Sequence, residues 1–245
     1  MIILLTNDDG IHAAGINTLF EELSKAHEVY MVAPSEERSA CSNAITMRDE
    51  LTIRRYDDRR FSVNGFPADC ANVGLHGGII PDPELVVSGI NHGPNMGDDI
   101  YYSGTVAGAR VGFIHGKNAI AVSLGSKEKL QYLADAAAYT AKFIEQYSAA
   151  FAGKKRFVNI NYPACRANEV QGTAFTFLDK RSYKDTFIVK GRDGADTRVI
   201  LDGIVDSAEI EGSDCDMVNK KFVSVTPLML DSTNYDERDY FSTGR

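Results

Sequence analysis

Several features that mark common protein classes are scarce or absent in this sequence. No apolar run reaches the roughly 18 residues that a membrane-spanning helix needs, so no membrane association is expected. The 4 cysteines are scattered without a CxxC pair, which does not favour a zinc ribbon or a thioredoxin-like site. Reduced, mostly buried thiols are expected instead. Neither a P-loop motif nor a G-x-G-x-x-G fingerprint occurs.

Positive charge is also in deficit. The chain has 26 Lys and Arg residues against 34 Asp and Glu residues, which gives a formal net charge of −8. Specific nucleic-acid binding is therefore not expected, because it requires clustered basic side chains. Small phosphorylated substrates are compatible with this charge, since a metal ion can supply positive charge locally.

The start of the chain is apolar but is not typical of a signal peptide. No basic residue precedes the apolar residues 2–5, and Asn7, Asp8 and Asp9 end the run. The expected location is the cytoplasm.

The order of apolar segments predicts an α/β fold. A strand over 2–6, a helix over 15–26 and a strand over 29–32 have the size of a βαβ unit. Such units imply a parallel sheet with right-handed crossovers. The remaining predicted elements are strands at 85–87, 119–124 and 157–160, a helix that begins near Thr105, and a helix over 128–149.

The pattern changes after residue 170. Charged, glycine-containing turns separate short β-like runs at 175–178, 186–189 and 198–201. The run over 222–226 is expected to return to the main sheet, and the polar tail from Asp231 to be loose or held by a partner chain. We therefore expect residues 1–245 to form a single α/β domain, with about 170–245 as a β-rich extension.

Two adjacent aspartates follow the first strand, at the end where parallel α/β sheets bind ligands. Ionising Asp8 and Asp9 side by side is costly unless a cation or hydrogen-bond donors compensate. Oxygen ligands select hard cations such as Mg²⁺, Mn²⁺ or Ca²⁺. Alternatively, Asp9 caps the next helix and both acids are solvated turn residues, which is the commoner case for an isolated Asn-Asp-Asp-Gly. These residues alone leave both interpretations open.

Neutral polar residues follow the neighbouring strands and open a later helix. Ser103, Gly104 and Thr105 would expose backbone N–H groups and hydroxyls, which makes an anion site at a helix N-terminus. The alternative is close helix packing through Gly108 and Gly112, with Thr105 as a plain cap, and both can hold together. The polar residues at the other two strand ends are Ser39, Asn43, Asn91 and Asn95.

Other polar residues near these positions carry weaker signals. A lone histidine such as His92 is more often structural than a ligand or a base. Asp98 and Asp99 are expected in a turn or a supporting role, and Asp69 at a helix start. Arg38 is either a phosphate contact or a solvated loop residue.

Five motifs stand in order along the chain. They are 4–11 (LLTNDDGI), 32–34 with Arg38 and Ser39, 65–70 (GFPADC), 87–95 (VSGINHGPN) and 102–106 (YSGTV). Together they resemble the SurE family, the stationary-phase survival proteins that act as 5′-nucleotidases. Weaker matches at 159–163 and 223–228 extend the likeness to essentially the whole chain. Five ordered motifs are specific where one is not, and they favour Asp8 and Asp9 as metal ligands.

The resemblance implies a Rossmann-like three-layer sandwich whose β-rich C-terminal part exchanges between subunits of a homodimer or homotetramer. The implied reaction is hydrolysis of nucleoside 5′-monophosphates, and some members also accept 3′-monophosphates or short polyphosphates. Asp8 and Asp9 are the implied catalytic residues. One divalent ion, Mg²⁺ or Mn²⁺, is implied at Asp8, Asp9, Ser39 and Asn91. Phosphate contacts are implied at Asn43, Asn95, Ser103, Gly104 and Thr105.

The chain departs from the family pattern at three places. Phe66 stands where a small hydroxyl residue is common, Val111 where an acidic residue is common, and Asp179 with Lys180 where a glycine often follows the leucine. None of these positions is an implied ligand. They bear on local packing and substrate preference rather than on the reaction.

Two other functions fit parts of the sequence. One is a nucleotide-binding regulator without turnover, which would have less need of two ligating carboxylates. The other is a glycosyl or nucleoside hydrolase that uses Asp8 and Asp9 with Ca²⁺. The Ser-Gly-Thr helix start favours phosphate over a sugar.

Overall fold

A computed structural model describes the backbone of residues 1–243 and the side chains of those residues other than 204, 239 and 241–243. The strands are β1 (Ile2–Thr6), β2 (Glu28–Pro34), β3 (Ile53–Arg55), β4 (Arg60–Val63), β5 (Leu85–His92), β6 (Asn118–Leu124), β7 (Phe157–Tyr162), β8 (Gly172–Phe175), β9 (Arg181–Asp193), β10 (Asp196–Ser207) and β11 (Phe222–Leu228). The helices are α1 (Ala14–Leu23), α2 (Pro67–His76), α3 (Gly104–Ile114), α4 (Leu133–Gly153), α5 (Asp214–Asn219) and α6 (Tyr235–Thr243).

Nine strands form one mainly parallel sheet in the order β3-β4-β2-β1-β5-β6-β7-β11-β8. The six strands from β4 to β7 in this order are parallel, whereas β3 and β11 pair antiparallel with their neighbours β4 and β7. Because β1 lies between β2 and β5, the carboxyl ends of these three strands meet at one edge of the sheet. The predicted return of the run over 222–226 to the main sheet is confirmed by β11.

Alternating side chains on β1 pack against helices on both faces of the sheet. Ile3 and Leu5 belong to a core that includes residues of α1 and α4. Leu4 belongs to a second core with Cys70 of α2, and α3 lies against the same face over β6 and β7. The molecule is therefore the three-layer α/β sandwich that the sequence predicted.

The strands β9 and β10 form a long antiparallel hairpin outside the main sheet. The predicted runs at 186–189 and 198–201 lie inside it. Large apolar side chains on the hairpin are exposed, among them Phe187 at 68% and Ile200 at 53%.

Some predicted boundaries differ from the structure. The strand predicted at 175–178 shares only Phe175 with β8, which runs from Gly172 to Phe175. The helix predicted over 128–149 runs from Leu133 to Gly153, after a short 3-10 turn. The short strands β3 and β4 were not predicted. The tail, predicted to be loose or held by a partner chain, contains α6.

Two further expectations concern thiols and membranes. All four cysteines are free, and three of them are buried, as the sequence predicted. No helix in the described part of the chain combines the length and apolar character needed to cross a bilayer.

Candidate active site

Asp8 lies at the exit of β1 and is only 4% exposed. Its Oδ1 accepts a hydrogen bond from the hydroxyl of Thr105, and its main-chain carbonyl accepts one from the Arg38 amide at 2.7 Å. Burial raises the pKa of Asp8 to about 6; the Thr105 bond opposes this rise, and the neighbouring Asp9 adds to it. A buried acid with a second acid beside it is the environment that a bound cation would relieve.

Asp9 is held by the backbone that follows β5. Its Oδ2 accepts a hydrogen bond from the His92 amide at 3.2 Å and lies 3.9 Å from Nδ1 of the His92 ring. The other ring nitrogen, Nε2, accepts the Gly15 amide at 3.2 Å, so in the neutral ring the proton is on Nδ1, facing Asp9. Burial raises the pKa of Asp9, and His92 opposes that rise. His92 thus orients a carboxylate rather than standing apart from the site.

The oxygen atoms around Asp8 and Asp9 suit a hard divalent cation. Ser39 and Asn91 line the same cleft as Asp8. The Asn91 side-chain amide donates to the Gly93 carbonyl at 2.8 Å, which leaves its oxygen for a ligand. Among the side chains that the structure describes, no group of three or more His, Cys, Asp or Glu residues is arranged to hold a metal. The donors that line this part of the cleft are carboxylates and neutral oxygens, which suit a hard divalent cation.

Asn95 is buried and fixed by three polar side chains. Its amide N–H donates to Asn161 Oδ1 at 2.9 Å, and its side-chain amide donates to Ser123 Oγ at 2.8 Å. Its carbonyl accepts the side-chain amides of Asn159 and Asn161 at 2.8 and 2.9 Å. These three supporting residues were not among the predicted site residues. The alternation of two amides along the buried strand β7 is the signal that could have found them.

The start of α3 lies against Asp8. Ser103 is the N-cap, and its Oγ accepts the Val106 amide at 3.0 Å. A Cβ on Gly104 would stand 2.8 Å from the Asp8 Cβ, so the helix start is in direct contact with the carboxylate. Thr105 is fully buried, with its hydroxyl on Asp8. Ser103 and Asn95 line the cleft, whereas Gly104 and Thr105 lie against Asp8 and are not among its lining residues.

Close packing of α3 through its glycines also holds. A Cβ on Gly108 would stand 2.8 Å from Thr6 Cγ2, and one on Gly112 would stand 2.5 Å from the Val86 Cβ. The packing interpretation of this helix is therefore confirmed, with Ser103 rather than Thr105 as the cap, and the anion site at its start stays a prediction.

Asn43 lies on the loop between β2 and β3 and is exposed. Its neighbour Ser42 ties this loop to the other wall of the cleft: its Oγ donates to the Tyr101 carbonyl at 2.6 Å and its amide to the Tyr102 carbonyl at 2.9 Å. Asn43 itself is not part of the cleft wall, and its phosphate contact stays a prediction.

Three other residues have structural partners. The Arg38 guanidinium pairs with Glu36 at 2.6 Å and lies 5.5 Å from the centre of the Phe66 ring. Asp69 opens α2, where it accepts the Phe66 amide at 2.9 Å, as predicted for a helix start. Asp99 lies in a 3-10 turn and binds side chains of β9.

A cleft of about 920 Å³ extends from Asp8 to the root of the β9–β10 hairpin. The far wall is one face of the hairpin, where Tyr183 and Val205 are cross-strand partners. Between the two ends lie Tyr101 and Tyr102, exposed at 60% and 64%. None of these hairpin or tyrosine contacts was predicted, because they depend on segments far apart in sequence.

Comparison with known proteins assigns the chain to a family. The family model described as "Survival protein SurE" matches residues 3–185. The chain belongs to the SurE family. A protein of Leptospira interrogans named 5′-nucleotidase SurE is 42% identical over 237 residues, covering 96% of this chain and 94% of the relative. One of Pelobacter propionicus with the same name is 40% identical and covers 99% of both chains.

A solved structure of the SurE family supports the assignment. The crystal structure of the SurE protein from Aquifex aeolicus matches with a TM-score of 0.83 at 32% identity, covering 99% of this chain and 100% of that one. In the present SurE family member, the motifs at 4–11, 87–95 and 102–106 meet around Asp8 and Asp9. The motif at 65–70 lies behind them, where it opens α2.

Proposed function

We propose that this protein is a metal-dependent 5′-nucleotidase that hydrolyses nucleoside 5′-monophosphates to nucleoside and inorganic phosphate. The observation that carries the proposal is the position of the buried Asp8 directly beneath the capped N-terminus of α3, with Asp9 beside it. Carboxylates that hold a cation then face backbone N–H groups that attract an anion. The relatives named 5′-nucleotidase SurE support the same activity.

We further propose Asp8, Asp9, Ser39 and Asn91 as the ligands of one Mg²⁺ or Mn²⁺ ion. When bound, such an ion polarises the phosphoryl group and lowers the pKa of a bound water. The raised pKa of Asp8 in the metal-free protein supports this assignment, since a cation would stabilise its charged form.

The chain's own residues bind and orient the substrate. Asn95 and Ser103 line the cleft next to Asp8 and are placed to donate hydrogen bonds to phosphoryl oxygens. Asn43 would join them if its loop moves onto the substrate, and Gly104 and Thr105 contribute the polarity of the helix start. Asp9, fixed by the His92 amide, orients the attacking water. Direct attack by an aspartate is the alternative.

The nucleoside has room beyond the phosphate. The tyrosines 101 and 102 provide ring surfaces on which a base can stack, and stacking tolerates different bases. Leu201 and Val205 add apolar surface from the hairpin.

We also propose that the protein forms a homodimer or homotetramer through the β9–β10 hairpin, and that it resides in the cytoplasm. The exposed apolar side chains on the hairpin support the first proposal, because contiguous exposed apolar surface marks interaction sites. The free, mostly buried thiols support a reducing compartment.

The decisive experiment measures phosphate and free base released from adenosine 5′-monophosphate, with Mn²⁺ or with EDTA. Phosphate release that requires metal is expected, together with a loss of at least about 100-fold in Asp9→Asn. Asp58→Asn, an exposed acid on the loop between β3 and β4, is the matched control. Release of free base would instead indicate a nucleoside hydrolase, and binding without turnover a regulator. Isotope-labelled water in a single turnover, with a trapping test for phosphoenzyme, separates attack by water from attack by aspartate.

A further inference from the structure

The carboxylate of Asp214 joins three separate parts of the chain in the interior of the protein. Asp214 is the first residue of α5 and is fully buried. Its Oδ2 accepts the Gly97 amide at 2.8 Å, and its Oδ1 accepts the amides of Asp179 and Cys215, each at 2.9 Å. Gly97 follows β5, Asp179 precedes the β9–β10 hairpin, and Cys215 belongs to α5 itself. One side chain thus binds the root of the hairpin to the segment that leads from β5 to α3.

That segment, residues 95–103, carries two of the proposed phosphate contacts at its ends. Asn95 lies two positions before Gly97 and Ser103 six positions after it. Within the segment, the Asp99 amide donates to the Met96 carbonyl at 3.1 Å, and the Asp99 carbonyl accepts the Ser103 amide at 3.0 Å. A shift of Gly97 would therefore move Asp99 and, with it, Ser103 at the N-cap of α3.

The start of the β9–β10 hairpin also contacts residues 95–103 at a second place, the side chain of Asp99. The Arg181 guanidinium and the Tyr183 hydroxyl both donate to the Asp99 carboxylate. A Cβ on Gly97, whose φ is +52°, would stand 2.7 Å from the Asp179 carbonyl, so the two chains touch at this point. The segment has little freedom once the hairpin root is bound to it.

We propose that Asp214 is a positioning residue for phosphate binding, which fixes residues 95–103 by tying them to the root of the β9–β10 hairpin. This role rests on the proposed function, because Asn95 and Ser103 are placed as phosphate contacts there. Asp214 touches neither substrate nor metal. Its effect reaches the site through Gly97 and Asp99, and it links the cleft to the hairpin that is proposed to hold subunits together.

The test compares Asp214→Asn with Asp216→Asn. Asparagine keeps the shape of the side chain and one acceptor oxygen, which can still accept the amides of Asp179 and Cys215. Its NH₂ group then faces the Gly97 amide, and because both groups are donors, the hydrogen bond to Gly97 is lost. Asp216 lies on the same helix, where it accepts the Gly212 amide at 2.8 Å and pairs with Lys220, so the control loses the same charge at a place that does not contact residues 95–103.

Three measurements are expected to distinguish Asp214→Asn from Asp216→Asn. Amide hydrogen exchange over 97–103 becomes at least about tenfold faster in Asp214→Asn, while exchange over β6 stays as in the wild type. Inorganic phosphate, titrated in the presence of Mn²⁺, binds at least about tenfold more weakly, whereas Mn²⁺ itself binds within about twofold of wild type. Asp216→Asn behaves as wild type in all three.

Unchanged exchange over 97–103, or phosphate affinity equal to that of Asp216→Asn, overturns the proposal. The exchange measurement needs no turnover, so it decides the positioning role even if the protein proves not to hydrolyse nucleotides. If Asp214→Asn does not fold, Arg181→Gln carries the same test from the hairpin side. It removes one of the two donors to Asp99, and the same separation of readouts is required.

Discussion

The hydroxyl of Thr105 donates a hydrogen bond to the carboxylate of Asp8, although 97 residues separate the two in sequence. This bond joins the exit of the central strand β1 to the first turn of α3. A phosphate contact predicted from a helix start is thus also the support of a predicted metal ligand. The double role makes Thr105 a sharp place to test the site.

Thr105→Val is expected to weaken Mn²⁺ binding by about tenfold, the scale seen when a hydrogen bond to a metal ligand is removed. Valine has nearly the same shape, so the buried position stays filled, but the bond that lowers the pKa of Asp8 is lost. Thr105→Ser keeps the hydroxyl and is the matched control. Calorimetric titration measures both, and equal Mn²⁺ affinity in the two variants would contradict the assignment.

Asp8→Asn is expected to stabilise the metal-free protein near pH 7.5. The folded pKa of Asp8 is raised from its usual 3.8 to about 6, so protonation favours the folded state. The contribution of Asp8 protonation to the free energy of unfolding is complete below about pH 4. It is lost as the pH rises through the folded pKa of about 6. The loss is worth roughly 3 kcal/mol. Asparagine has no charge to bury, so its advantage in EDTA should shrink between pH 6 and pH 4.

Saturating Mn²⁺ is expected to reverse this order, because only the wild type gains the free energy of metal binding. Urea unfolding midpoints across pH, with EDTA and with Mn²⁺, measure both halves of the prediction. An asparagine variant less stable than wild type in EDTA at pH 7.5 would count against a buried, charged Asp8.

Gly104→Ala is expected to lower kcat/KM by about 100-fold, the cost of displacing a reacting group by about 1 Å. The new Cβ would stand 2.8 Å from the Asp8 Cβ and 2.9 Å from the Cys41 Sγ, so the carboxylate must move. Gly153→Ala, at the end of α4, meets nothing within 4 Å and should leave activity unchanged. Comparable activity in both variants would show that α3 does not press on Asp8.

Tyr101→Ala is expected to raise KM for adenosine 5′-monophosphate by about tenfold, since stacking on an aromatic ring contributes about 1–3 kcal/mol per base. Tyr101→Phe keeps the ring and is the control. Hydrolysis of glycerol phosphate, which has no base, should be the same in both. An equal loss on both substrates would mean that Tyr101 acts on the phosphate end instead.

The double variant Phe187→Ser with Ile200→Ser is expected to shift the protein toward monomer in light-scattering measurements. The two side chains lie on opposite faces of the β9–β10 hairpin and are both more than half exposed. Neither lines the cleft, so any loss of activity would report on assembly. Ile114→Ser, an exposed apolar residue at the end of α3, is the control. A wild-type protein that is already monomeric would contradict the proposal.

The parts of the main sheet that the sequence predicted are those with short, continuous apolar runs. The apolar runs of β1, β2 and β6 are buried on both faces, and this pattern survives without tertiary information. The strands β3 and β4 were missed because they have only 3 and 4 residues, and β3 is an exposed strand at the edge of the sheet. The hairpin was predicted in pieces, since its apolar residues alternate with charges and turn-forming residues that resemble loop ends.

The site was predicted unevenly for a similar reason. Asp8 and Asp9 follow a recognisable strand, so their position could be inferred from the sheet alone. The hydrogen bond between Asn95 and Asn161 joins residues 66 positions apart, and the one between Gly97 and Asp214 joins residues 117 positions apart. No local sequence pattern predicts such pairs. The exposure of Asn43 likewise depends on how its loop is tied to Tyr101 by Ser42.

The glycines of α3 limit how this protein can be engineered. Replacing helical glycine with alanine is a standard route to thermostability, because alanine restricts the unfolded chain and suits the helix. At Gly104, Gly108 and Gly112 the added methyl group would push the helix off the sheet that supports Asp8. A design that replaces helical glycines by rule would choose this helix for its composition, yet the substitutions would disrupt its packing and displace the acid on which catalysis is proposed to depend.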